Sequence, residues 1–530
     1  MVRMQLAFLC FNVAEPATWV AILVYAYDQG GTRAVGFVSI LLLIPAGLLA
    51  PVAAALGDRF RRDRVVRLGY VAQAVGSVVV ATVMGASAPT ASVYVLAMFA
   101  GLVFTTGRPN HHAFLPSLAR SPEEVAAGNS VSSLTEGVGG ALGAVIAAVA
   151  LGASGAGAAY GVAAIVSFVG AALTLGIGGG QVRAGEHGPF RPWDLARDAV
   201  DGLLILARSS GPRLIVAIAA TLALATGVVG VLVVPLAIEV LGLGEPGVGY
   251  LSMAWSIGSF VGAGVSVAFV ARRMLAWPIV TSGAVVALAA AAMGFADVAA
   301  VAALALAIAG LGITLLDVLG RTLLQRTTDD RVLTRVFGAV EALWLLGYGA
   351  GSAIAPVLDA ALGLQGAFLV AAGLLTLGAL GTAPGLRGID RTAIVPERQL
   401  ALLGRIAMFA PLPRTDLERL ALQLDRIEIP AGTDVIRQGD VGDRFYVVDA
   451  GRFEIVRGGQ VINEAAEGDF FGEIALLHDV PRTATVRATE DSAVWALDQE
   501  EFLATVTGMP QVETAAHAVS AERMRTGSSG

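Results

Sequence analysis

The sequence predicts an α-helical membrane protein with twelve transmembrane helices in two six-helix halves, plus a small cytosolic β-roll domain flanked by helices. Three observations support this fold class. Of the 530 residues, 56% are hydrophobic and only 15% are charged, whereas about 25% of the residues in soluble globular chains are charged. Apolar runs long enough to cross a bilayer recur up to about residue 385. After about residue 400 the composition becomes that of an ordinary soluble domain.

Twelve apolar runs account for the predicted membrane spans. Backbone N–H and C=O groups in lipid have to bond within their own segment, so each run is predicted to form an α-helix. The runs lie near 5–27, 35–56, 66–86, 92–115, 126–151, 158–178, 212–240, 247–270, 275–296, 299–324, 335–358 and 364–383.

Arginine is unevenly distributed over the loops between these runs. It is concentrated after the second, fourth, sixth, eighth and tenth spans, whereas the alternate loops hold little Arg apart from Arg33. Cytoplasmic loops carry the excess of positive charge. The pattern therefore predicts a multi-pass protein of the inner (plasma) membrane with both termini and the C-terminal domain in the cytoplasm.

A weak internal repeat divides the membrane part in two. The segment Gly128–Gly143 resembles Gly338–Gly351, and the pair Arg61-Arg62 recurs as Arg272-Arg273 at a similar offset. Parallel repeats with a binding site between them near mid-membrane are typical of secondary transporters. We therefore expect a first half at 1–180, a cytoplasmic central loop at 181–211 and a second half at 212–384.

Residues 385–400 interrupt the apolar pattern and are predicted to be a linker to a domain at 401–525. Short segments separated by turn residues indicate an all-β roll, with a final helix near Val512–Met524. The predicted strands are Glu428–Ile429, Val435–Gln438, Phe445–Ala450, Phe453–Arg457 and Ala493–Leu497.

The stretch FGEIALLHDVPRTATV, from Phe471 to Val486, carries the chemistry of this domain. Backbone N–H groups at the start of a short helix attract an anion, and Glu473 can accept hydrogen bonds from ribose hydroxyls. Arg482 supplies a planar fork that suits a phosphate. Together these groups predict a pocket for a sugar phosphate.

This stretch resembles the phosphate-binding cassette of cyclic nucleotide-binding domains, and Gly439–Ile455 (GDVGDRFYVVDAGRFEI) resembles their glycine-punctuated strand pair. The resemblance implies that Glu473 takes the ribose 2′-hydroxyl, that Arg482 pairs with the cyclic phosphate, and that Gly472 and Ala475 lend backbone amides. Thr483 leaves cGMP open, although cAMP is favoured. The implied contact residues are Phe471, Gly472, Glu473, Ile474, Ala475, Arg482, Thr483 and Ala484.

The loop GDRFRRDR, from Gly57 to Arg64, resembles the loop signature of the major facilitator superfamily. The resemblance implies a conformational latch that comprises Asp58, Arg59 and Arg62, in which the Asp58 carboxylate pairs with a helix terminus and Arg across the two halves. It best fits the proton-driven exporter branch. The glycine-rich fifth span resembles a motif of that branch but lacks its Gly-Pro step, which leaves antiport open.

Ionisable residues inside membrane spans are costly, so we treat them as functional candidates. For transport and proton coupling they are Glu15, Arg108, Glu136, Asp317 and Glu341. Arg108 can balance either Glu15 or Glu136. Asp317 and Arg321 are four residues apart, so a local ion pair is the alternative there. The neighbouring His111 and His112 are expected to be solvated.

These features predict a secondary active transporter, a proton-coupled small-molecule exporter of unidentified substrate, regulated by a cytosolic cyclic nucleotide. A membrane-anchored nucleotide receptor without transport, or a transporter of the nucleotide itself, are the alternatives. The soluble part shows no acid–base or nucleophile motif, so we expect no enzyme, metal site or cofactor. The net charge of −7 does not suggest a nucleic-acid partner. The single cysteine, Cys10, matches no redox motif.

Overall fold

The computed structural model describes residues 1–59, 62–118, 122–177, 210–270, 275–327, 330–392, 397–412, 414–507 and 510–526. The chain divides into two compact units, Met1–Ala393 and Ile394–Gly530. We call them the helical unit and the C-terminal unit. The boundary between them falls inside the segment 385–400 that the sequence predicts to be a linker, although the last helix of the helical unit continues to Thr392.

Long apolar helices make up the described part of the helical unit. Eight of them are long and apolar enough to cross a membrane, and Thr90–Phe104 is a shorter apolar helix. The helices are α1 (Val2–Arg59), α2 (Arg62–Gly85), α3 (Thr90–Phe114), α4 (Pro122–Thr174), α5 (Ser210–Pro235), α6 (Gly244–Val270), α7 (Ala276–Gly294), α8 (Ala299–Thr327) and α9 (Asp330–Thr392).

Three of these helices contain a break at a glycine with positive φ. The breaks lie at Gly31 in α1, Gly155 in α4 and Gly363 in α9. Glycine has no Cβ, so it adopts this left-handed conformation at little steric cost. The first and second predicted spans lie on either side of the break in α1, and the eleventh and twelfth lie on either side of the break in α9. The division into twelve separate crossings remains a prediction.

Glycines bring the helices of the helical unit into close contact. A Cβ atom at Gly143 would overlap the carbonyl oxygen of Val13, and one at Gly351 would overlap that of Leu224. Small residues allow such close approach between membrane helices. Gly143 and Gly351 occupy matching positions in the two repeat segments, and they bring α4 against α1 and α9 against α5.

The C-terminal unit contains two four-stranded antiparallel sheets, with strand orders β1-β8-β3-β6 and β2-β7-β4-β5. The strands are β1 (Asp425–Ile429), β2 (Asp434–Ile436), β3 (Arg444–Ala450), β4 (Phe453–Arg457), β5 (Gln460–Ala465), β6 (Phe470–Phe471), β7 (Thr485–Ala488) and β8 (Ser492–Asp498). The helices are α10 (Glu397–Leu403), α11 (Arg414–Leu422), α12 (Glu473–His478), α13 (Gln499–Thr507) and α14 (Pro510–Thr526).

Strand β3 separates the two hydrophobic cores of this unit, because alternate side chains of a strand point to opposite faces. Phe445 and Val447 pack with the flanking helices, and the Phe445 ring stacks on Phe502 of α13 at a centroid distance of 4.8 Å. Tyr446 and Val448 face the other core, between the sheets. The unit therefore has a buried interior of its own.

All five predicted strands overlap observed ones, but three strands were missed. Strand β5 is exposed along most of its length, so it lacks the alternation of buried and exposed residues that marks a half-buried strand. Strand β6 has only two residues. Strand β7 begins within the cassette, where the sequence suggested binding residues rather than a strand.

Candidate functional sites

The first candidate site lies in the C-terminal unit, where β6 turns into the short helix α12. Gly472 forms this turn with φ +95°. A Cβ atom at Gly472 would lie 2.7 Å from Arg482 Nη1 and 2.9 Å from the carbonyl oxygen of Arg444. Only glycine fits both the conformation and the space, so this residue brings the start of α12 against the Arg482 guanidinium.

Arg482 is almost buried, with 5% of the residue exposed. Its Nη1 donates to the carbonyl oxygen of Gly472 at 2.9 Å, and its Nη2 donates to that of Arg444 at 2.7 Å. The only carboxylate recorded near it among the described residues is that of Asp443, whose side chain is 76% exposed, at 3.3 Å. Neutral carbonyls therefore supply most of its hydrogen bonds, although a buried charge ordinarily needs a counter-charge.

Glu473, the first residue of α12, is 1% exposed. Its carboxylate accepts a hydrogen bond from Arg523 Nη1 at 3.0 Å. Arg523 belongs to the final helix α14, and it also donates to the carbonyl oxygen of Phe470 at 2.7 Å. The Arg523 guanidinium lies 3.8 Å from the centre of the Phe470 ring. The final helix thus closes over the carboxylate that was predicted to bind ribose.

Sequence reasoning missed Arg523, because the contact joins residues 50 positions apart and no motif marks it. A second contact holds the same two helices together. The exposed His478 at the end of α12 lies 3.1 Å, through Nε2, from Ser520 Oγ of α14. The only sign of Arg523 in the sequence was a positive charge in the last turn of the predicted final helix.

The other predicted contact residues fall into two groups. Ala475 lies beside Gly442, because a Cβ atom added to Gly442 would lie 2.9 Å from the Cβ of Ala475. The carbonyl oxygen of Thr483 accepts a hydrogen bond from Arg457 Nε at 3.2 Å. Phe471 instead faces the core between the sheets, with its ring 5.3 Å from that of Tyr446. Ala484 is buried and Ile474 is half-buried.

The second candidate site lies in the helical unit and begins with residues of α1, α3 and α4. Arg108 Nη2 donates to Glu15 Oε2 at 2.7 Å and lies 3.3 Å from Asn12 Oδ1. His112 Nε2 lies 3.3 Å from Glu136 Oε1. Of the two carboxylates that Arg108 was predicted to balance, Glu15 is therefore its direct partner.

The matching residues of the second half lie on α8 and α9. Arg321 Nε donates to both carboxylate oxygens of Asp317, at 2.8 and 3.0 Å, which is the predicted local pair. Arg321 Nη2 also donates to Glu341 Oε2 at 3.3 Å. Sequence reasoning identified all three side chains, but it did not predict that Arg321 joins the two carboxylates.

These two groups of charges share one environment. Arg108 lies within electrostatic range of the carboxylates of Glu15, Glu136 and Glu341. Arg321 lies within range of the Glu341 carboxylate as well. The ion-paired side chains of the two groups are between 32% and 50% exposed. Side chains with this much accessible surface are not enclosed by protein packing. A cavity of about 320 Å³ adjoins Asp317, Arg321 and Glu341.

One histidine differs from the prediction. His111 is buried rather than solvated, because its ring stacks on Phe8 at 3.7 Å and its Nε2 lies 3.0 Å from Ser132 Oγ. His112, one position later on α3, remains exposed. Neighbouring residues of a helix point in different directions, so only one of the two faces the packing with α1.

The latch residues lie at a helix junction. Asp58 and Arg59 end α1, and Arg62 begins α2. Their side chains are outside the part of the chain that the structure describes, as is most of the predicted central loop, so the latch remains a prediction. Among the described residues, no group of three His, Cys, Asp or Glu side chains could hold a metal ion.

Comparison with protein families gives two matches. The model of the Major Facilitator Superfamily matches residues 5–303, and that of the cyclic nucleotide-binding domain matches residues 426–507.

Individual relatives match a smaller share of the chain. A cAMP-dependent protein kinase regulatory subunit from Yarrowia lipolytica is 32% identical over 23% of this chain and 32% of its own length. A cGMP-dependent protein kinase from Eimeria tenella is 32% identical over 26% of this chain and 14% of its own. The chain thus spans a third or less of these curated relatives. The solved Catabolite Activator Protein from Thermus thermophilus is 31% identical, with coverages of 22% and 58% and a TM-score of 0.21.

Proposed function

The chain belongs to the Major Facilitator Superfamily and carries a C-terminal cyclic nucleotide-binding domain, and from this premise we propose that it is a nucleotide-regulated transporter. In this proposal it is a secondary active, proton-coupled exporter of a small molecule in the inner (plasma) membrane. Cytosolic cAMP, rather than cGMP, is the allosteric ligand. A relative named a cAMP-dependent kinase regulatory subunit supports the choice of cAMP.

Buried Arg482 is the observation that carries the nucleotide site. Its guanidinium is satisfied mainly by the carbonyl oxygens of Gly472 and Arg444, so its charge is still available to an anion. Charge-assisted, bidentate pairing of Arg with phosphate is stronger than pairing with neutral acceptors. The buried Glu473 carboxylate, at the start of the same short helix, is suited to a ribose hydroxyl. In the proposal Phe471 supports the cassette by packing, while Gly472, Ile474, Ala475, Thr483 and Ala484 form its wall.

For the membrane part we propose twelve crossings in two six-helix halves, at 1–180 and 212–384. The glycine breaks at Gly31, Gly155 and Gly363 support the division of three long helices into six. The matching contacts of Gly143 and Gly351 support the two-fold repeat. The segments 181–211 and 385–400 then serve as central loop and linker, and 401–525 is the nucleotide-binding domain.

Proton coupling is proposed for the interior charges of the helical unit. Glu15 and Arg108 form a close pair, and Glu136 lies beside His112. A carboxylate that exchanges an Arg or His partner for a proton would change the local charge between the two states of a transport cycle. Asp317 and Glu341 share Arg321 in the same manner. The accessibility of these side chains supports a hydrated path to them.

Two anchors in the C-terminal unit support a regulatory role for the nucleotide. At one end, Arg398 of α10, the first described helix after the unit boundary, binds the Asp449 carboxylate and donates to the Asp449 carbonyl oxygen at 2.7 Å. At the other end, Arg523 of α14 binds Glu473. A ribose hydroxyl that binds Glu473 would change the contact between Glu473 and Arg523, and with it the position of α14. Coupling of about 1–3 kcal/mol is a normal allosteric magnitude.

A flux measurement tests the proposal. Proteoliposomes with the purified chain are screened for proton-driven uptake or release of a panel of small molecules, with and without cAMP on the side of the C-terminal unit. We expect cAMP to change the flux of the transported solute severalfold in the wild type and in Arg437→Ala, an exposed arginine of the same unit, but not in Arg482→Ala.

The possible outcomes separate the candidate functions. Nucleotide binding without flux of any solute would favour the membrane-anchored receptor. Flux of cAMP itself would favour the nucleotide as cargo. If saturating cAMP does not change the flux, the proposed regulation is wrong and the proposed transport function stands.

A further inference from the structure

Two histidines meet where the final helix of the C-terminal unit packs on the short helix α12. His478 ends α12 and His517 lies in α14, and their ring centroids are 5.6 Å apart at an interplanar angle of 63°. Both residues are exposed. Histidine is the side chain whose charge ordinarily changes between about pH 5 and pH 8. The contact between α12 and α14 therefore joins two groups that can each gain a proton as the pH falls.

A buried hydroxyl determines which way the hydrogen bond of this contact runs. Ser520 of α14 is fully buried, and its Oγ donates to the carbonyl oxygen of His517 at 3.0 Å. A hydroxyl has one hydrogen to donate, so in the 3.1 Å contact between His478 Nε2 and Ser520 Oγ the ring nitrogen is the donor. The neutral ring in one tautomer and the imidazolium both make this bond. Protonation of His478 does not break it, so an effect of pH on the contact has to come from charge.

Several charges on the elements around this contact already have partners. Strand β3 and helix α13 also pack against α12, and α13 and the turn Ala407–Phe409 pack against α14. Glu473 pairs with Arg523 at 3.0 Å. On β3, Arg444 pairs with Asp498 at 2.8 Å, and two arginines hold the Asp449 carboxylate. These groups are not available to neutralise the two histidines.

The remaining described charges on these elements are carboxylates. Asp479 follows His478 in the chain, and Glu513 precedes His517 by four positions, which is one helical turn. Helix α13 carries Glu500 and Glu501 in its first turn. Asp479 and Glu513 can each offset the charge of the histidine nearest to them, but neither separates the two rings. A second imidazolium therefore forms 5.6 Å from the first, and a like charge this close disfavours it.

The helix that carries His517 also carries the arginine that occupies the predicted ribose acceptor. Arg523 lies three residues after Ser520, so less than one helical turn separates the histidine contact from the contact between Arg523 and Glu473. A short helical segment moves as one body. If α14 moves away from α12 at His517, Arg523 moves away from the Glu473 carboxylate as well.

We propose that His478 and His517 form a pH-sensitive fastening of α14, which holds Arg523 on Glu473 at neutral pH and releases it when both rings are charged. The released carboxylate then accepts the ribose hydroxyl, so cAMP binds more tightly as the cytosol becomes acidic. The inference rests on the proposed nucleotide site and names a regulation of that site. In a proton-coupled exporter, the protons that enter with each cycle would strengthen nucleotide binding.

A distance measurement on the full chain in detergent tests the fastening without nucleotide or transport. Nitroxide labels are attached to Ala518→Cys of α14 and Val461→Cys of β5, two exposed positions, in a Cys10→Ala background. Double electron–electron resonance then gives the distance between the labels at about pH 7.5 and about pH 5.5, on either side of the range in which histidine ordinarily titrates. We expect a second, longer distance at the acidic pH. The double variant His478→Gln/His517→Gln should show one distance at both pH values, because glutamine stays neutral.

Titration calorimetry with cAMP at the same two pH values tests the consequence for the ligand. The unlabelled wild type should bind cAMP about threefold more tightly at the acidic pH, because the repulsion of two unit charges at this separation in water corresponds to about that factor in an equilibrium constant. His517→Gln should remove the difference, since a single imidazolium has no like charge beside it. Glu490→Gln, which removes an exposed carboxylate at the turn between β7 and β8, is the control and should keep the difference.

The same label distance at both pH values would overturn the fastening, as would a pH response that survives in the double glutamine variant. A longer distance at acidic pH without tighter cAMP binding would overturn the release of Glu473. If the fastening fails but cAMP still changes the flux, the proposed function stands and this inference is wrong. A histidine-dependent distance change in a chain that binds no cAMP would support the fastening and contradict the proposed nucleotide site.

Discussion

In the proposed nucleotide site, Arg482 is the side chain that would bind the cyclic phosphate. Its guanidinium is buried, yet its nearest recorded carboxylate, that of Asp443, is exposed. An incoming phosphate would supply the missing charge without requiring Arg482 to move far. We therefore expect Arg482→Ala to abolish nucleotide binding, a loss of at least about a hundredfold, since hydrogen bonds to charged groups contribute about 1.5–3 kcal/mol each.

Titration calorimetry of the full chain with cAMP measures this effect. Arg437→Ala is the matched control, because Arg437 is an exposed arginine of the same unit that pairs only loosely with Asp434, at 3.6 Å. Arg482→Lys should recover little affinity, since an ammonium cannot replace the planar fork. If cAMP releases as much binding heat with Arg482→Ala as with the wild type, the phosphate binds at another residue.

Glu473 is expected to recognise the ribose 2′-hydroxyl, although in the described structure its carboxylate is held by Arg523. The wild type should therefore bind cAMP about tenfold or more tightly than 2′-deoxy-cAMP, because the lost hydrogen bond involves a charged acceptor. Glu473→Gln should narrow that difference. The two ligands and two proteins form a double-mutant cycle that isolates this one contact. A preference that survives in Glu473→Gln would assign the hydroxyl to another residue.

Asp449 links the pH dependence of the C-terminal unit to its first helix. Burial by itself would raise the pKa of this carboxyl, but hydrogen bonds from Arg426 and Arg398 outweigh it and hold the pKa below the ordinary value of 3.8. A carboxyl with a lowered folded-state pKa stabilises the fold above its unfolded-state pKa, and that stability is lost as the pH falls through the folded-state pKa.

Asp449→Asn should therefore lower the free energy of unfolding by about 1–3 kcal/mol at neutral pH, the range for a buried polar group that loses its hydrogen-bond partner, and by little at strongly acidic pH. Trp495 is the only tryptophan in the sequence after residue 394 and pairs with Arg426 in the sheet. Its fluorescence reports urea unfolding of the isolated C-terminal unit, which has its own buried cores. Equal destabilisation at pH 7 and at acidic pH would contradict the assigned role.

At the scale of elements, glycine decides which helices approach each other. Gly143 brings α4 against α1 at the carbonyl of Val13. Gly143→Ala should lower the stability of the helical unit by about 1–3 kcal/mol, because an added methyl group in a tight contact forces the backbones apart. Thermal unfolding in detergent measures this change.

Gly161 provides the matched control for that experiment. It lies on the same helix α4, and a Cβ atom there would meet no heavy atom within 4 Å. Gly161→Ala should leave the melting temperature unchanged or raise it slightly, since alanine favours helix over glycine. Equal effects of the two substitutions would show that helix propensity, and not interhelical contact, governs the result.

At the scale of the whole molecule, the arginine distribution predicts the orientation in the membrane. We test it with two engineered cysteines in a Cys10→Ala background, labelled by a membrane-impermeant maleimide. Asp297→Cys lies at the exposed turn after the ninth predicted span, and Val441→Cys lies at an exposed position of the C-terminal unit. Right-side-out vesicles should label only Asp297→Cys and inverted vesicles only Val441→Cys. The opposite pattern would place the C-terminal unit outside the cytoplasm.

Several features of this protein follow from the sequence alone. Apolar runs long enough for a bilayer predict helices, because lipid offers the backbone no alternative partner. The cassette is a local motif, so the nine positions from Glu473 to Arg482 were enough to predict a sugar-phosphate pocket without knowledge of distant contacts. The charges of Asp317 and Glu341 stood out because ionisable residues are rare in apolar spans.

Tertiary structure alone decided which of these groups meet. Arg523 reaches Glu473 across 50 positions, and Arg321 joins Asp317 to Glu341 across two helices. Phe471 belongs to the cassette by sequence, yet its ring packs between the sheets. Local patterns report the environment that each residue prefers, whereas pairings between distant segments depend on how helices and strands pack, and packing leaves no periodic signal in the chain.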